Sequence, residues 1–297
     1  MKPKVYFTKE ICNENVVKLY DLLGKKLSGK VAVKVHSGEV GNQNFIGPEF
    51  WKEIINKLNG TVVECNTAYN GKRMYTKDHY ETLKYHKWSE YYDVEILDDY
   101  NEKAIDDRGK KDLVLEIPNG KVIKKNYVGK NIEKYDSMIV LSHFKGHPMG
   151  GFGGALKQLS IGLASSFGKA YIHGAGKPEK IWTADHNSFL ESMADAASSI
   201  TDYFKGNIVY VNVMKNMSVD CDCCSVAEDP CLSDIGMLIS LDPVAIDKAC
   251  LDLVYKSEDP GKNHLIERIE SRNGILTVEA AERLGIGTTD YELIYVG

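Results

Sequence analysis

Four cysteines fall at 221, 223, 224 and 231, within the stretch DCDCCSVAEDPC. Thiolates at alternate positions of an extended segment point to the same side, so Cys221 and Cys223 can converge on one soft metal ion while Cys224 points elsewhere. Cys231, reached through Pro230, is a third candidate ligand. The spacing C-x-C-C-x6-C matches neither the bacterial ferredoxin run nor the paired C-x2-C of zinc sites, which leaves iron, nickel and zinc all open. The ordinary alternative, small buried hydrophobes, sits poorly with the surrounding acids. A chain with seven cysteines, an odd number, points to metal or redox chemistry before disulfides if it works in a reducing compartment.

The second dense signal is LSHFKGHPMGGFGGALKQLSIGLASSFGKAYIHGAG, residues 141–176. A strand should end at Ser142. A loop then carries His143, Lys145 and His147 into Gly150, Gly151, Gly153 and Gly154, and a helix follows. Glycines there let the backbone approach a ligand or cofactor, and free amides at a helix start favour anions or carbonyl oxygens. The spacing is no phosphate loop, since no Gly-Lys-Ser/Thr closes it, and no dinucleotide fingerprint, since Leu156 stands where the third glycine belongs. Lys157 sits in a helix apolar or small on nearly every side, and a buried ammonium is costly unless paired or bound to a ligand. His143, His147 and His173 could supply imidazole ligands or move protons.

Two further loops follow strand-like runs. One carries a histidine and Glu39, a candidate base; the other carries Asn66 and Arg73, which could hold a carboxylate or carbonyl group. Both should lie at the carboxyl edge of a sheet, where ligands of α/β proteins bind.

The elements that must position these residues alternate along the chain. Strands are expected at 30–36, 61–65, 137–142, 207–214 and 237–241, several of them continuously apolar and therefore central. Helices are expected at 14–27, 48–58, 154–166, 186–204, 243–256 and 277–284, with Pro48 and Pro243 in first turns and Asp242 as a cap. The pattern predicts an α/β fold, a mixed or mostly parallel sheet covered by helices, in two lobes, 1–134 and 135–297, with the site between them. Residues 112–128 read as a hairpin joined by Pro-Asn-Gly.

At 297 residues, 43% hydrophobic and 27% charged, the composition is that of a water-soluble globular chain, and no apolar run approaches a membrane span. The start, MKPKVYF, lacks the apolar core of a signal peptide, which leads to the expectation of a cytoplasmic protein. A net charge of -5 favours neither nucleic acid nor membrane as partner, leaving a small-molecule ligand or a redox partner. The oligomeric state stays open.

The stretches VKVHSGEVGN, VECNTAYNGKR, SHFKGHPMGGFGGALKQLSIGLAS, MSVDCDC and ISLDPVAIDKACLDLV, in that order, resemble the family catalogued as domain of unknown function 362, proteins described as iron-sulfur centres. Many members carry a ferredoxin-like insertion that this chain lacks, so the resemblance carries over to the Cys221/Cys223 pair. The order His147, Lys157, His173 is similar, more distantly, to that of the nickel-pincer lactate racemases. That likeness implies a proton-transfer role for His147, anchorage of a pincer-type nucleotide cofactor at Lys157 and metal ligation by His173. Together the readings predict a metal-dependent protein of iron-sulfur-centre type, a redox or isomerase-type enzyme on a small organic acid or related metabolite. The alternative is a non-catalytic electron-transfer or metal-handling protein that binds its metal through the cysteine cluster.

Overall fold

The computed structural model describes residues 2–100 and 109–297. In chain order the elements are β1 (Lys4–Thr8), α1 (Asn13–Leu22), β2 (Val31–Lys34), α2 (Lys52–Leu58), β3 (Thr61–Glu64), α3 (Thr76–Tyr85), α4 (Trp88–Tyr91), β4 (Val94–Ile96), β5 (Leu113–Glu116) and β6 (Lys125–Val128). There follow β7 (Ser137–His143), β8 (Lys145–His147), β9 (Gly151–Gly153), α5 (Ala155–Leu163), α6 (Ser166–His173), α7 (His186–Phe204) and β10 (Ile208–Met214). The chain closes with β11 (Gly236–Ser240), α8 (Pro243–Lys256), α9 (Lys262–Ser271), α10 (Ile275–Arg283) and β12 (Glu292–Tyr295).

Eight strands form one sheet in the order β12-β1-β11-β10-β7-β2-β3-β4. From β10 to β4 every neighbouring pair is parallel, while β11 runs antiparallel to both β10 and β1. The expected α/β class with a mixed, mostly parallel sheet is what the chain adopts. Strands from 1–134 and from 135–297 share this sheet, with Ala32 of β2 opposite Met138 of β7.

Alternation of side chains along the strands builds a core on each face. Met138, Val140, Ile208 and Tyr210 face a layer drawn from α5, α7, α8, α9 and α10. Ile139, Leu141, Val209 and Val211 face the opposite layer, from α1 to α4. The strands are apolar on both sides because both faces are covered.

The expected hairpin is present as β5 and β6, outside the main sheet, and Asp195 of α7 accepts from the amides of Lys121, Val122 and Ile123 at its turn. Asp242 caps α8 as expected, accepting from the Val244 and Ala245 amides. The helix expected at 154–166 ends at Leu163, and a second helix that was not expected, α6, follows from Ser166. Ser165 starts the second as its N-cap by accepting from the Gly168 amide, a role that outcompetes continuation of α5. Among the described residues no helix is long and apolar enough to cross a membrane.

Candidate metal and ligand site

The carboxyl ends of β2, β3, β7 and β10 open on one rim of the sheet, and the site lies there. A cavity of about 380 Å³ is lined by residues from both halves of the chain, including His36, Glu64 and Arg73 from the first and His147, Lys157 and Cys223 from the second.

The chain beyond β7 stays extended, so His143, Lys145 and His147 project from alternate positions toward the loop that follows β10. Asp222, wholly buried between Cys221 and Cys223, receives two of them: His143 Nδ1 at 2.9 Å and Lys145 Nζ at 2.8 Å. The His143 ring also points Nε2 at the Lys215 carbonyl, 2.6 Å away. Both nitrogens face acceptors, which commits each to donating and leaves neither free for a metal or a substrate. His143, expected as a catalytic group, is thus a positioning residue that anchors the cysteine loop. Despite burial, the cations His143 and Lys145 hold the Asp222 carboxyl well below its ordinary value.

The third residue of the row meets the thiols. One ring nitrogen of His147 and the sulfurs of Cys221 and Cys223 all lie within 4.8 Å of one another. His147 Nε2 is 4.0 Å from Cys223 Sγ, and Lys157 Nζ is 4.0 Å from Cys221 Sγ. The hydrogen bond and charge of Cys223, together with burial, push the Cys221 thiol up, but the Lys157 and Lys145 ammoniums outweigh them and hold it below the ordinary thiol range. For Cys223 the hydrogen bond with Cys221 pulls downward, and that with Cys224 and burial win, so its thiol is raised.

Hydrogen bonds fix different tautomers on the cavity histidines. His147 Nδ1 accepts from the Gly150 amide at 2.8 Å and the Met149 amide at 3.2 Å, so the neutral ring carries its hydrogen on Nε2, toward the thiols. His36 Nδ1 likewise accepts from the Gly38 amide. In His173, stacked on Phe189, Nδ1 donates to the Lys169 carbonyl at 2.8 Å and leaves the Nε2 lone pair free. That is the tautomer of a metal-ligating imidazole. Burial is the main force pushing His36, His147 and His173 down to about 4 each, so all three rings are neutral at pH 7. His173 lines the same cavity but stands outside the group of three donors.

The glycines serve the backbone. Gly151 and Gly153 pair with His147 and Lys145 across the β8/β9 hairpin, and Gly150 donates to His147. A side chain at Gly154 would strike Asp247, 2.3 Å from its Oδ1. Asp247 occupies that space to accept from the Ala155 and Leu156 amides, so the start of α5 is already capped and is not open to an anion as the sequence suggested. Burial lifts the Asp247 carboxyl to about 6 against these donors.

Arg73 is buried in the cavity wall, its Nε donating to Glu39 at 3.1 Å and an Nη to the Tyr69 hydroxyl. Glu39, expected as a base, is the arginine's counterion, and its amide ties the loop to the Asp222 carbonyl. Asn66 is wholly buried; its side chain meets Thr76, His79 and the Asp98 carbonyl and does not line the cavity. Cys231 lies apart from the pair, its thiol donating to the Met217 carbonyl.

Sequence reasoning noted His36 as the histidine of a ligand-edge loop but passed over Lys34, Glu64, Gln158 and Lys169; all five line the cavity. A signal was available for two of them: Lys34 and Glu64 are charges at the ends of otherwise apolar strands, and they pair with each other in the interior.

An iron-sulfur cluster held by four cysteines does not fit this arrangement, because the group that gathers within 4.8 Å among the described residues is His147, Cys221 and Cys223, with Cys224 hydrogen-bonded to Cys223 outside it and Cys231 apart. The two thiolates suit a single thiolate-preferring ion, with the His147 Nε2–H beside it.

Among solved structures the chain is similar to a protein of Thermotoga maritima, at 14% identity over 91% of this chain and 58% of that one, with a TM-score of 0.45. It is also similar to a structure described as the lactate racemase apoprotein from Thermoanaerobacterium thermosaccharolyticum, at 16% identity over 70% of this chain and 50% of that one, with a TM-score of 0.40. The chain thus spans less than two thirds of either. No curated protein matches it. The family model described as "Domain of unknown function (DUF362)" matches residues 31–252, three quarters of the sequence, and the chain belongs to that family.

Proposed function

We propose that the protein is a metal-dependent enzyme of redox or isomerase type acting on a small organic acid or related metabolite. One observation carries the reading: the donors of His147, Cys221 and Cys223 gather within 4.8 Å on the wall of a cavity, with Lys157 beside them. A metal with nothing to react with would not need a cavity of about 380 Å³ lined by cations and neutral imidazoles.

On this reading Cys221 and Cys223 hold the ion. When bound, it supplies a Lewis-acid or electron-accepting centre to the substrate. His147, neutral and oriented by two backbone amides, points its Nε2–H to the thiol side of the cavity, where it can donate a hydrogen bond to a sulfur or to a substrate oxygen. Lys157 is placed to keep a cofactor or substrate next to the metal. His173 offers a free Nε2 lone pair to the same space.

Replacing Lys157 with Ala tests the enzyme reading, with binding of lactate and pyruvate followed by calorimetry and metal by elemental analysis. The expected outcome is retained metal and lost binding of the acids. Acid binding that persists unchanged, with metal as the sole property sensitive to mutation, would favour a metal-handling or electron-transfer role.

A further inference from the structure

The cations of the cavity are not equally answered. Arg73 faces Glu39, Lys34 faces Glu64, and Lys157 faces the Cys221 sulfur. Lys169 is different. Only 7% exposed, it lines the cavity and donates to main-chain carbonyls alone, Ala164 at 2.6 Å and Cys65 at 3.4 Å. Among the described residues no carboxylate lies within ion-pair distance of it, and the charges of buried Asp98 and Glu64 reach it only from beyond that distance. An ammonium has three hydrogens, and a buried one with no direct ion pair is costly until an anion arrives.

A second orphan lies nearby. Gln158 is 8% exposed and lines the same cavity, yet its Nε2 is buried with no hydrogen-bond partner. Its side chain meets that of Lys34 at Gly162, where an added Cβ would lie 2.7 Å from Gln158 Oε1 and 2.8 Å from Lys34 Cε. Gly162 is two residues before Ala164, whose carbonyl Lys169 holds. The absent side chain is what lets Gln158 and Lys34 approach there, in the cavity that Lys169 also lines.

We propose that Lys169 and Gln158 form a carboxylate-binding subsite, which holds the acid group of the substrate. The proposal deepens the organic-acid reading above and rests on it. One ammonium without a direct ion pair and one unpartnered amide NH2 match the two oxygens of a carboxylate, whereas a phosphate dianion calls for more positive charge. Arg73, the sequence's candidate for this task, is already engaged by Glu39 and Tyr69. Met149, Ile161 and Trp182 in the same lining favour an acid with an apolar body.

Trp182 provides the readout. It is 62% exposed at the cavity, while Trp51 and Trp88 are 2% and 0% exposed, so a ligand-dependent change in emission reports on Trp182. Pyruvate and 4-methyl-2-oxopentanoate are titrated into the full chain, with lactamide and inorganic phosphate as comparisons and Trp182→Phe as the signal control. Both oxo acids should give saturable changes, with 4-methyl-2-oxopentanoate the tighter. Lactamide should give none. Lys169→Met should weaken binding about tenfold or more, the usual effect of losing a charged hydrogen bond. Gln158→Leu, which removes no charge, should weaken it by less and keeps the test open if the lysine variant fails to fold. Unweakened binding in folded variants, no oxo-acid binding in the wild type, or tighter binding of phosphate would overturn the subsite. Metal analysis of the same samples separates the two readings: acid binding that depends on Lys169 in protein unable to hold metal would sustain the subsite and defeat the metal-enzyme assignment.

Discussion

At the residue scale the site divides into groups that meet at the cavity and groups that hold them there. His147, Lys157, Cys221 and Cys223 meet, while His143, Lys145, Glu39 and Asp222 hold them in place through buried ion pairs. The chemistry-bearing types were legible in the sequence because cysteines at alternate positions and a lysine in an apolar helix are unusual. Their partners were not, because whether a histidine donates, accepts or ligates depends on the atoms facing its two nitrogens. His79 shows the energetic consequence. Wholly buried, it donates from Nδ1 to Asn66 and leaves Nε2 without a partner. Burial, helped by Arg73, Lys169 and Lys34 against the pull of Glu64, pushes its pKa down to about 3 from an ordinary 6.5. The unfolded chain therefore binds the extra proton between those values, and the contribution to stability, complete above pH 6.5, falls as pH drops toward 3. By pH 5 the loss from this ring is about 2 kcal/mol, at about 1.4 kcal/mol per unit. In thermal unfolding of metal-free protein, His79→Gln should lose less stability than the wild type between pH 7 and pH 5; an equal loss would contradict this account.

At the scale of elements, the short β8/β9 hairpin decides whether the site exists. It turns His147 toward the thiols and stacks its backbone on the cysteine loop, with the Gly146 amide donating to the Ser218 carbonyl at 2.8 Å. A side chain at Gly146 would lie 2.3 Å from the Val219 carbonyl oxygen, and backbone cannot swing aside as a side chain can. Gly146→Ala should cost about 1 to 3 kcal/mol through overpacking and weaken metal binding about 10- to 100-fold by shifting the thiols. Competition with a chelator measures the second effect, and wild-type affinity in a folded variant would show that the hairpin does not set the loop. The sequence suggested a glycine-rich ligand loop here, since glycines that admit a ligand and glycines that admit another stretch of backbone look alike. The long helices α7 and α8 were legible to the residue because caps and apolar periodicity coincide at their ends, whereas the break between α5 and α6 turns on a single serine cap.

For the whole molecule, the parallel core of the sheet explains why residues distant in sequence share one cavity: β2, β3, β7 and β10 all deliver their following loops to the same rim. The α/β class followed from the alternation of apolar runs and amphipathic helices. The strand order did not, because register and neighbours are set by packing between segments far apart in the chain, as when β1 joins β11 and β12. That closure matters to the site, because the cysteine loop spans the connection from β10 to β11 and is held at both ends by the sheet. The central claim is that this loop holds a metal ion against the cavity. Elemental analysis of anaerobically purified wild-type protein beside a Cys221→Ser/Cys223→Ser variant tests it most directly. The account predicts near-stoichiometric iron, nickel or zinc in the wild type and its loss from the folded variant; substoichiometric amounts of all three in the wild type, or equal metal in both proteins, would contradict it.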